Sequence, residues 1–299
     1  MEIKNVIICG LGALGITYAN KLKNVCNLKI LADKKRIANF KKNPPFFNNE
    51  PLFFNHISPK ENQKTDLIII ATKYSGLSSA IEYIKNFVSK DTIIISLING
   101  ISSEKQISLA YPEATILNSF FIGHSAIGKQ EGNTKKFYQD GIGKIVFEPN
   151  SDLEKFFKTN NIDYEISENI IYSQWVKLGV NIILNELSAI YRCSVGELRK
   201  NKDYPALTKI LLKEIKAVAF SCKIDNLENY EQDVLNSANL VANDGITSMY
   251  QDIIAKKKTE IDIFSGEIIK LGKLNGVKTP YNEDIYNKIK DIEKDFLWI

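Results

Sequence analysis

The sequence predicts an α/β fold, with a doubly wound parallel sheet in the N-terminal half and an all-helical domain in the C-terminal half. Three observations lead there. Short apolar runs alternate with helical patterns through the first half of the chain, and a glycine-rich turn joins the first run to the first helix. Beyond Ser167 the strand-like runs stop and helical periodicity takes over. Strands buried on both faces read as continuous apolar runs, and helical patterns between them imply parallel crossovers.

Val6-Ile7-Ile8-Cys9 reads as a buried strand from its length and β-branching, followed by a helix from about Leu14 to Lys23. Leu28 to Leu31 gives the second strand, Asp66 to Ala71 the third and Thr92 to Leu97 the fourth. The stretch from Lys41 to Pro59 holds Pro44, Pro45, Pro51 and Pro59, so it reads as loop carrying short edge strands. Thr115 to Phe121 and Lys144 to Phe147 are expected to complete the sheet. Helical periodicity then covers Asn169 to Tyr191, Pro205 to Ser221, Leu227 to Val241 and Thr259 to Asn275. The expected domains are 1–166, dinucleotide-binding, and 167–299, all-helical and substrate-binding.

Composition narrows the function classes. The 299 residues are enough for two domains, and 44% hydrophobic with 25% charged residues excludes disordered and collagen-like chains. A net charge of +4, from 39 basic and 35 acidic residues, leaves no basic block for a nucleic-acid partner. Lys256-Lys257-Lys258 reads as a solvated helix face. Cys9, Cys26, Cys193 and Cys222 lack metal-ligand spacing and have only His56 and His124 to help them, so no metal site is expected. The first residues lack the features of a secretory signal, and no apolar run approaches the roughly 18 residues that span a bilayer. A cytoplasmic protein without a membrane partner is expected. The apolar helix faces are compatible with a homodimer.

Gly10-Leu11-Gly12-Ala13-Leu14-Gly15 is a complete GxGxxG that follows a strand and opens a helix, the setting of a Rossmann-type dinucleotide site. Gly10 permits the tight turn, Gly12 the approach of a pyrophosphate and Gly15 close helix–strand packing, while the helix N-terminus offers amide donors. A plain glycine turn is the alternative. Asp33 ends the second strand, where a carboxylate accepts from ribose hydroxyls and repels a 2′-phosphate, favouring NAD(H). Lys34, Lys35 and Arg36 follow directly and either clasp that phosphate, favouring NADP(H), or begin a solvated helix. The two cues conflict.

In the second half, Lys177, Asn181 and Asn185 stand four residues apart on one stripe of a mostly apolar helix. Polar groups buried without partners cost roughly 1–3 kcal/mol each, so either a substrate or a structural amide network must satisfy them. Downstream lie Ser248-Met249-Tyr250-Gln251-Asp252 and Thr259-Glu260-Ile261-Asp262. Glu260 is expected near the start of the last helix, where a capping carboxylate is the plainer reading.

Along nearly its whole length the chain resembles the ketopantoate reductase family. The resemblance rests on Ala71-Thr72-Lys73, Leu97-Ile98-Asn99-Gly100, the Trp175-x-Lys177-x-x-x-Asn181-x-x-x-Asn185 helix, and Ser248-Met249-x-Gln251-Asp252 followed by Thr259-Glu260-Ile261-Asp262. It implies reduction of the C2 ketone of 2-dehydropantoate to pantoate, with NADP(H) as cofactor, in pantothenate and coenzyme A biosynthesis. Lys177 would be the general acid and Glu260 would hold the lysine or the cofactor ribose. Asn181, Asn185 and Ser248 would bind the substrate, and Asn99 both substrate and nicotinamide ribose. Lys73 would reach the cofactor. Two departures stand out: Val195 occupies the position of a substrate-binding asparagine before Gly196-Glu197-Leu198, and Asp33 stands where many relatives carry a basic residue. A dehydrogenase of the same build acting on another 2-oxo or 2-hydroxy acid, and a non-catalytic NAD(P)-binding sensor, are the competing readings.

Overall fold

The structure is a computed structural model that describes residues 1–123 and 126–296; His124 lies outside the described residues. Packing divides the chain into two compact units, one ending at Ile170 and the other beginning at Ile171.

The first unit opens with β1 (Asn5–Cys9), α1 (Ala13–Leu22), β2 (Asn27–Leu31) and α2 (Lys34–Lys42). Three short strands follow, β3 (Phe46–Phe47), β4 (Glu50–Pro51) and β5 (Asn55–Ile57). Next come β6 (Leu67–Ile70), α3 (Leu77–Ile84), β7 (Ile93–Ser96), α4 (Ser103–Ala110) and β8 (Thr115–Leu117). The unit closes with β9 (Ser119–Ile122), β10 (Ala126–Glu131), β11 (Thr134–Gln139), β12 (Lys144–Phe147), α5 (Ser151–Thr159) and β13 (Tyr164–Ile166).

Six of these strands form one parallel sheet in the order β5-β2-β1-β6-β7-β8. Successive side chains of a strand point to opposite faces, so each apolar run feeds two cores. Ile8, Ile30, Ile69 and Ile95 pack with Tyr18, Ala19 and Leu22 of α1. Ile7, Ile68, Ile70 and Ile94 pack on the other side with Leu77, Ala80 and Ile84 of α3 and with Ile107 of α4. Burying one such isoleucine stabilises the fold by about 1.5–3 kcal/mol relative to leaving it exposed, which is why the central positions of these runs are mostly apolar.

The expected completion of this sheet needs correction. Only Thr115–Leu117 joins it; Lys144–Phe147 pairs antiparallel with β9 and parallel with β13 in a separate three-stranded sheet. A third sheet, β10-β11-β3-β4, is built on a hairpin around Gly132 and Asn133, with Gly132 at φ +57°. An apolar run signals a strand, but long-range partners choose its sheet.

The second unit is helical. A long helix runs as α6 (Ile170–Val180), a π-helical segment (Asn181–Glu186) and α7 (Leu187–Tyr191). It is followed by α8 (Val195–Lys200), α9 (Tyr204–Ser221), α10 (Tyr230–Asn239), α11 (Ser248–Ile254), α12 (Ser265–Asn275) and α13 (Pro280–Lys294). Gly179 is buried, and glycine fits there because a Cβ would lie 2.7 Å from Tyr230 Oη, which donates to the Trp175 carbonyl at 2.9 Å. The expected helix from Thr259 is also corrected. Ile261–Ile263 form a 3-10 turn and α12 begins only at Ser265, so Glu260 precedes that turn instead of lying in the helix. Among the described residues, no helix is long and apolar enough to cross a membrane.

Candidate active site

In the first unit the candidate residues share one edge. The Gly10–Gly15 turn follows β1, Asp33 follows β2, Lys73 follows β6 and Asn99 follows β7, at the carboxyl ends of four strands adjacent in the order β2-β1-β6-β7. The strand order reverses between β1 and β6, and such a switch point is where open α/β sheets bind ligands.

Sterics explain the turn. Gly10 has φ +104°, and a Cβ there would meet the Ala71 carbonyl oxygen and Thr72 Cγ2 at 2.8 Å. A Cβ on Gly15 would stand 1.8 Å from the Gly10 carbonyl oxygen. Gly12 is different. A Cβ there would meet only the Ala71 carbonyl oxygen, at 3.8 Å, so the protein's own packing does not demand glycine. The first turn of α1 also has no side-chain cap and no acidic residue. Uncapped amides beside an open backbone fit a phosphate, and the residues present therefore suit a dinucleotide. Leu11, Ala13 and Leu14 complete that turn, and Leu11 and Leu14 lie partly buried against the sheet core.

Asp33 caps α2, accepting from the Arg36 backbone N–H at 2.8 Å, and its other oxygen lies 3.5 Å from Arg36 Nε. The carboxylate thus holds the one guanidinium in the basic trio, while Lys34 and Lys35 are exposed. Lys73 is exposed at the start of a 3-10 turn, Tyr74–Gly76. Asn99 lies three residues after Ser96, which begins a buried hydroxyl chain in which Ser96 Oγ donates to Ser103 Oγ (3.0 Å) and Ser103 Oγ to Glu104 Oε2 (2.8 Å). Gly100, at φ +93°, turns the chain after it.

In the second unit the long helix brings three candidates together. Asn185 Nδ2 donates to Ser248 Oγ at 3.2 Å and to Asn181 Oδ1 at 3.4 Å. Asn181 Nδ2 is buried and has no hydrogen-bond partner. Lys177 lies half-buried in the last turn of α6, on the helix that continues into the π segment. Ser248 is held at the start of α11 by Thr247, whose side chain accepts from the Tyr250 N–H and lies 2.6 Å from Ser188 Oγ. Glu260 follows Thr259, whose N–H and hydroxyl both donate to Glu293 Oε1, at 2.7 and 2.6 Å. Val195 is fully buried at the start of α8, its N–H bonded to the Gly245 carbonyl.

Sequence reasoning missed Glu186, which ends the π segment fully buried. The Ser265 N–H donates to its Oε1 at 2.9 Å, and Ser265 Oγ lies 2.6 Å from its Oε2. Burial pushes this carboxyl up to about 8, against the pull of the two Ser265 contacts. A charged residue on the core side of an otherwise apolar helix was the available signal. Among the described residues, no group of three or more metal-ligating side chains converges.

Residues 6–152 match the family described as Ketopantoate reductase PanE/ApbA, and residues 169–293 match Ketopantoate reductase PanE/ApbA C terminal. The chain belongs to the ketopantoate reductase family. It is an oxidoreductase of that family, and it is 27% identical over 292 residues to the 2-dehydropantoate 2-reductase of Streptococcus pyogenes serotype M6, covering 92% of this chain and 94% of that one. Its fold is shared with the PanE/ApbA family ketopantoate reductase of Ralstonia eutropha JMP134, at a TM-score of 0.81 and 22% identity, over 98% of this chain and 99% of that one. It is shared equally with a D-mandelate dehydrogenase solved with NADH and anilino(oxo)acetate, at a TM-score of 0.84 and 23% identity, over the same fractions of each chain.

Proposed function

We propose that this ketopantoate reductase family member reduces the C2 ketone of 2-dehydropantoate to pantoate, with NADPH as hydride source. One observation carries the reading. Asn181 Nδ2 is a buried donor without a partner, beside the hydrogen-bonded pair Asn185 and Ser248. A buried donor left unmet costs roughly 1–3 kcal/mol, and a substrate carboxylate or hydroxyl oxygen would satisfy it.

The Gly10–Gly15 turn, Lys73 and Asn99 would hold the cofactor, which when bound supplies a hydride to the carbonyl carbon. Lys177 polarises the carbonyl through its ammonium and gives a proton to the oxygen as the π pair moves onto it. Asn181, Asn185 and Ser248 fix the substrate's polar groups, so that the ketone is presented in one orientation. Glu260 positions the lysine ammonium or the cofactor ribose.

The test follows nicotinamide absorbance with 2-dehydropantoate, NADPH and NADH in parallel, and Lys177→Ala as control. Turnover by the wild type and a fall of about a hundredfold in the variant, with cofactor affinity kept, are expected. Turnover unaffected by the substitution refutes the proton-donor role.

A second reading is favoured by two observations. Val195 is apolar and fully buried where the resemblance expects a substrate-binding asparagine, and Asp33 places a carboxylate at the end of β2. Together they support a 2-oxo acid with an apolar branch, reduced with NADH. A panel of such acids in the same assay decides between the two.

A further inference from the structure

Four side chains form a linear hydrogen-bonded chain through the second unit: Glu186 from the π segment, Ser265 from α12, Asn282 from α13 and Glu214 from α9. Glu186, Ser265 and Asn282 are fully buried. Counting their protons is informative. Ser265 Oγ carries one hydrogen yet lies within hydrogen-bond distance of Glu186 Oε2, at 2.6 Å, and of Asn282 Oδ1, at 3.1 Å. If Glu186 were ionised, one of those contacts would join two oxygen atoms with no hydrogen between them.

Turning the Asn282 amide over does not remove the difficulty. Its Nδ2 donates to Glu214 Oε2 at 2.8 Å, so the turned amide would set its oxygen against that carboxylate. Either orientation needs a carboxyl proton. Glu214 Oε1 accepts from the Tyr281 N–H at 2.9 Å and Oε2 from the Asn282 N–H at 3.0 Å, in the first turn of α13. Glu214 thus accepts two backbone N–H groups at a helix N-terminus, a setting that suits an anion. Glu186 accepts a single backbone N–H, from Ser265 at the start of α12, has no cation beside it among the described residues and is fully buried, and that burial favours the neutral form.

We propose that Glu186 is a positioning residue held as a neutral carboxylic acid, donating its proton to Ser265 Oγ, with Ser265 donating in turn to Asn282 Oδ1 and Asn282 to Glu214. The relay ties the end of the Asn181–Glu186 segment to the first residue of α12, five residues after Glu260. It therefore fixes the asparagine pair against the turn that carries Glu260. Its catalytic consequence rests on the reading of those side chains as substrate and cofactor contacts.

Glu186→Gln is the discriminating variant, because a carboxamide keeps the neutral acid's donor and acceptor. Ser265→Ala breaks the relay. Infrared difference spectra of wild type against Glu186→Gln at neutral pH should show a protonated-carboxyl C=O band that the variant lacks. Amide hydrogen exchange over residues 181–186 and 259–264 should be unchanged in Glu186→Gln and faster in Ser265→Ala. In turnover, Ser265→Ala should raise the oxo acid KM about fivefold with the cofactor KM unmoved, and Glu186→Gln should stay within about twofold of wild type. Absence of the band, or a Glu186→Gln protein as perturbed as Ser265→Ala, overturns the neutral relay. A broken relay that leaves both exchange and KM unchanged overturns the positioning role. If no oxo acid is turned over, the substrate reading fails alone, since the band and the exchange rates still decide the relay.

Discussion

Substituting Gly15 and Gly12 by alanine separates what the glycine turn does for the fold from what it does for the cofactor. At Gly15 the added Cβ would lie 1.8 Å from the Gly10 carbonyl oxygen, which is 1.2 Å short of the 3.0 Å that such contacts essentially always exceed. The obstructing atom is backbone of the same turn, so no side chain can swing aside. α1 must retreat, and its buried face of Ile16, Tyr18, Ala19 and Leu22 must lift from the sheet. Overpacking of this kind costs about 1–3 kcal/mol or more, and an ångström of displacement at a binding turn costs about a hundredfold. At Gly12 the nearest atom would be 3.8 Å away, so alanine fits the cofactor-free fold. The assays are thermal unfolding and a fluorescence titration with NADPH and NADH. Gly15→Ala should lose several degrees of Tm and most of its cofactor affinity, whereas Gly12→Ala should keep its Tm and lose affinity by about tenfold or more. Cofactor binding at wild-type strength in Gly12→Ala would refute the phosphate cradle. An unchanged Tm in Gly15→Ala would refute the packing argument.

Three further outcomes follow from the same structure. Asp33→Ser keeps a capping oxygen for α2 but removes the carboxylate that holds Arg36, so the ratio of kcat/KM with NADPH to that with NADH should rise about tenfold; an unchanged ratio excludes Asp33 from cofactor choice. Gly179→Ala sets a Cβ 2.7 Å from Tyr230 Oη and 2.8 Å from Val234 Cγ2, and should cost about 1–3 kcal/mol in denaturant unfolding. Glu186 binds a proton more tightly folded, near 8, than at its ordinary 4.5, so the native state holds more protons between those values and stability falls as pH rises through that window. Glu186→Gln should remove that fall, matching wild type near pH 4.5 and exceeding it by about 3 kcal/mol at pH 7; parallel stability–pH curves would contradict a neutral Glu186.

The first half of the fold was legible because its signals are local. Gly10 and Gly15 each answer a neighbour within a few residues or just past the adjoining strand, and runs such as Leu67–Ile70 have one buried solution. The hairpin at 126–139 was missed although Gly132-Asn133 between two polar strands is a turn signature, because neither strand shows an apolar face worth reading. Lys144–Phe147 was recognised as a strand and assigned to the wrong sheet, since its partners are chosen across the chain. The stretch from Thr259 looked like one helix because Ile261, Phe264 and Ile268 keep helical spacing. What delays the helix to Ser265 lies outside the local pattern: Glu293 holds Thr259, and Glu186 holds Ser265. The Asn181–Asn185–Ser248 set was half legible. Spacing puts the asparagines on one stripe, but only the tertiary fold shows that Ser248 closes the set and that Asn181 keeps an unmet donor.

The π segment explains why these features fall together. Between Asn181 and Glu186 the helix departs from regular i→i−4 pairing, an uncommon arrangement that occurs frequently at functional sites. The three residues between the asparagines, Ile182, Ile183 and Leu184, are all buried. Apolar packing alone does not set the rotation of the two asparagines that flank these residues. The polar contacts do: Asn185 bonds Asn181 and Ser248, and Glu186, the next residue, is bonded to Ser265. A continuous α-helix would need no such bracing, and a buried carboxyl would then be a cost of several kcal/mol without a return. On the proposed relay, Glu186 and the π turn act together: the acid anchors the end of the segment to Ser265, and Asn181 in the same segment presents its unmet donor.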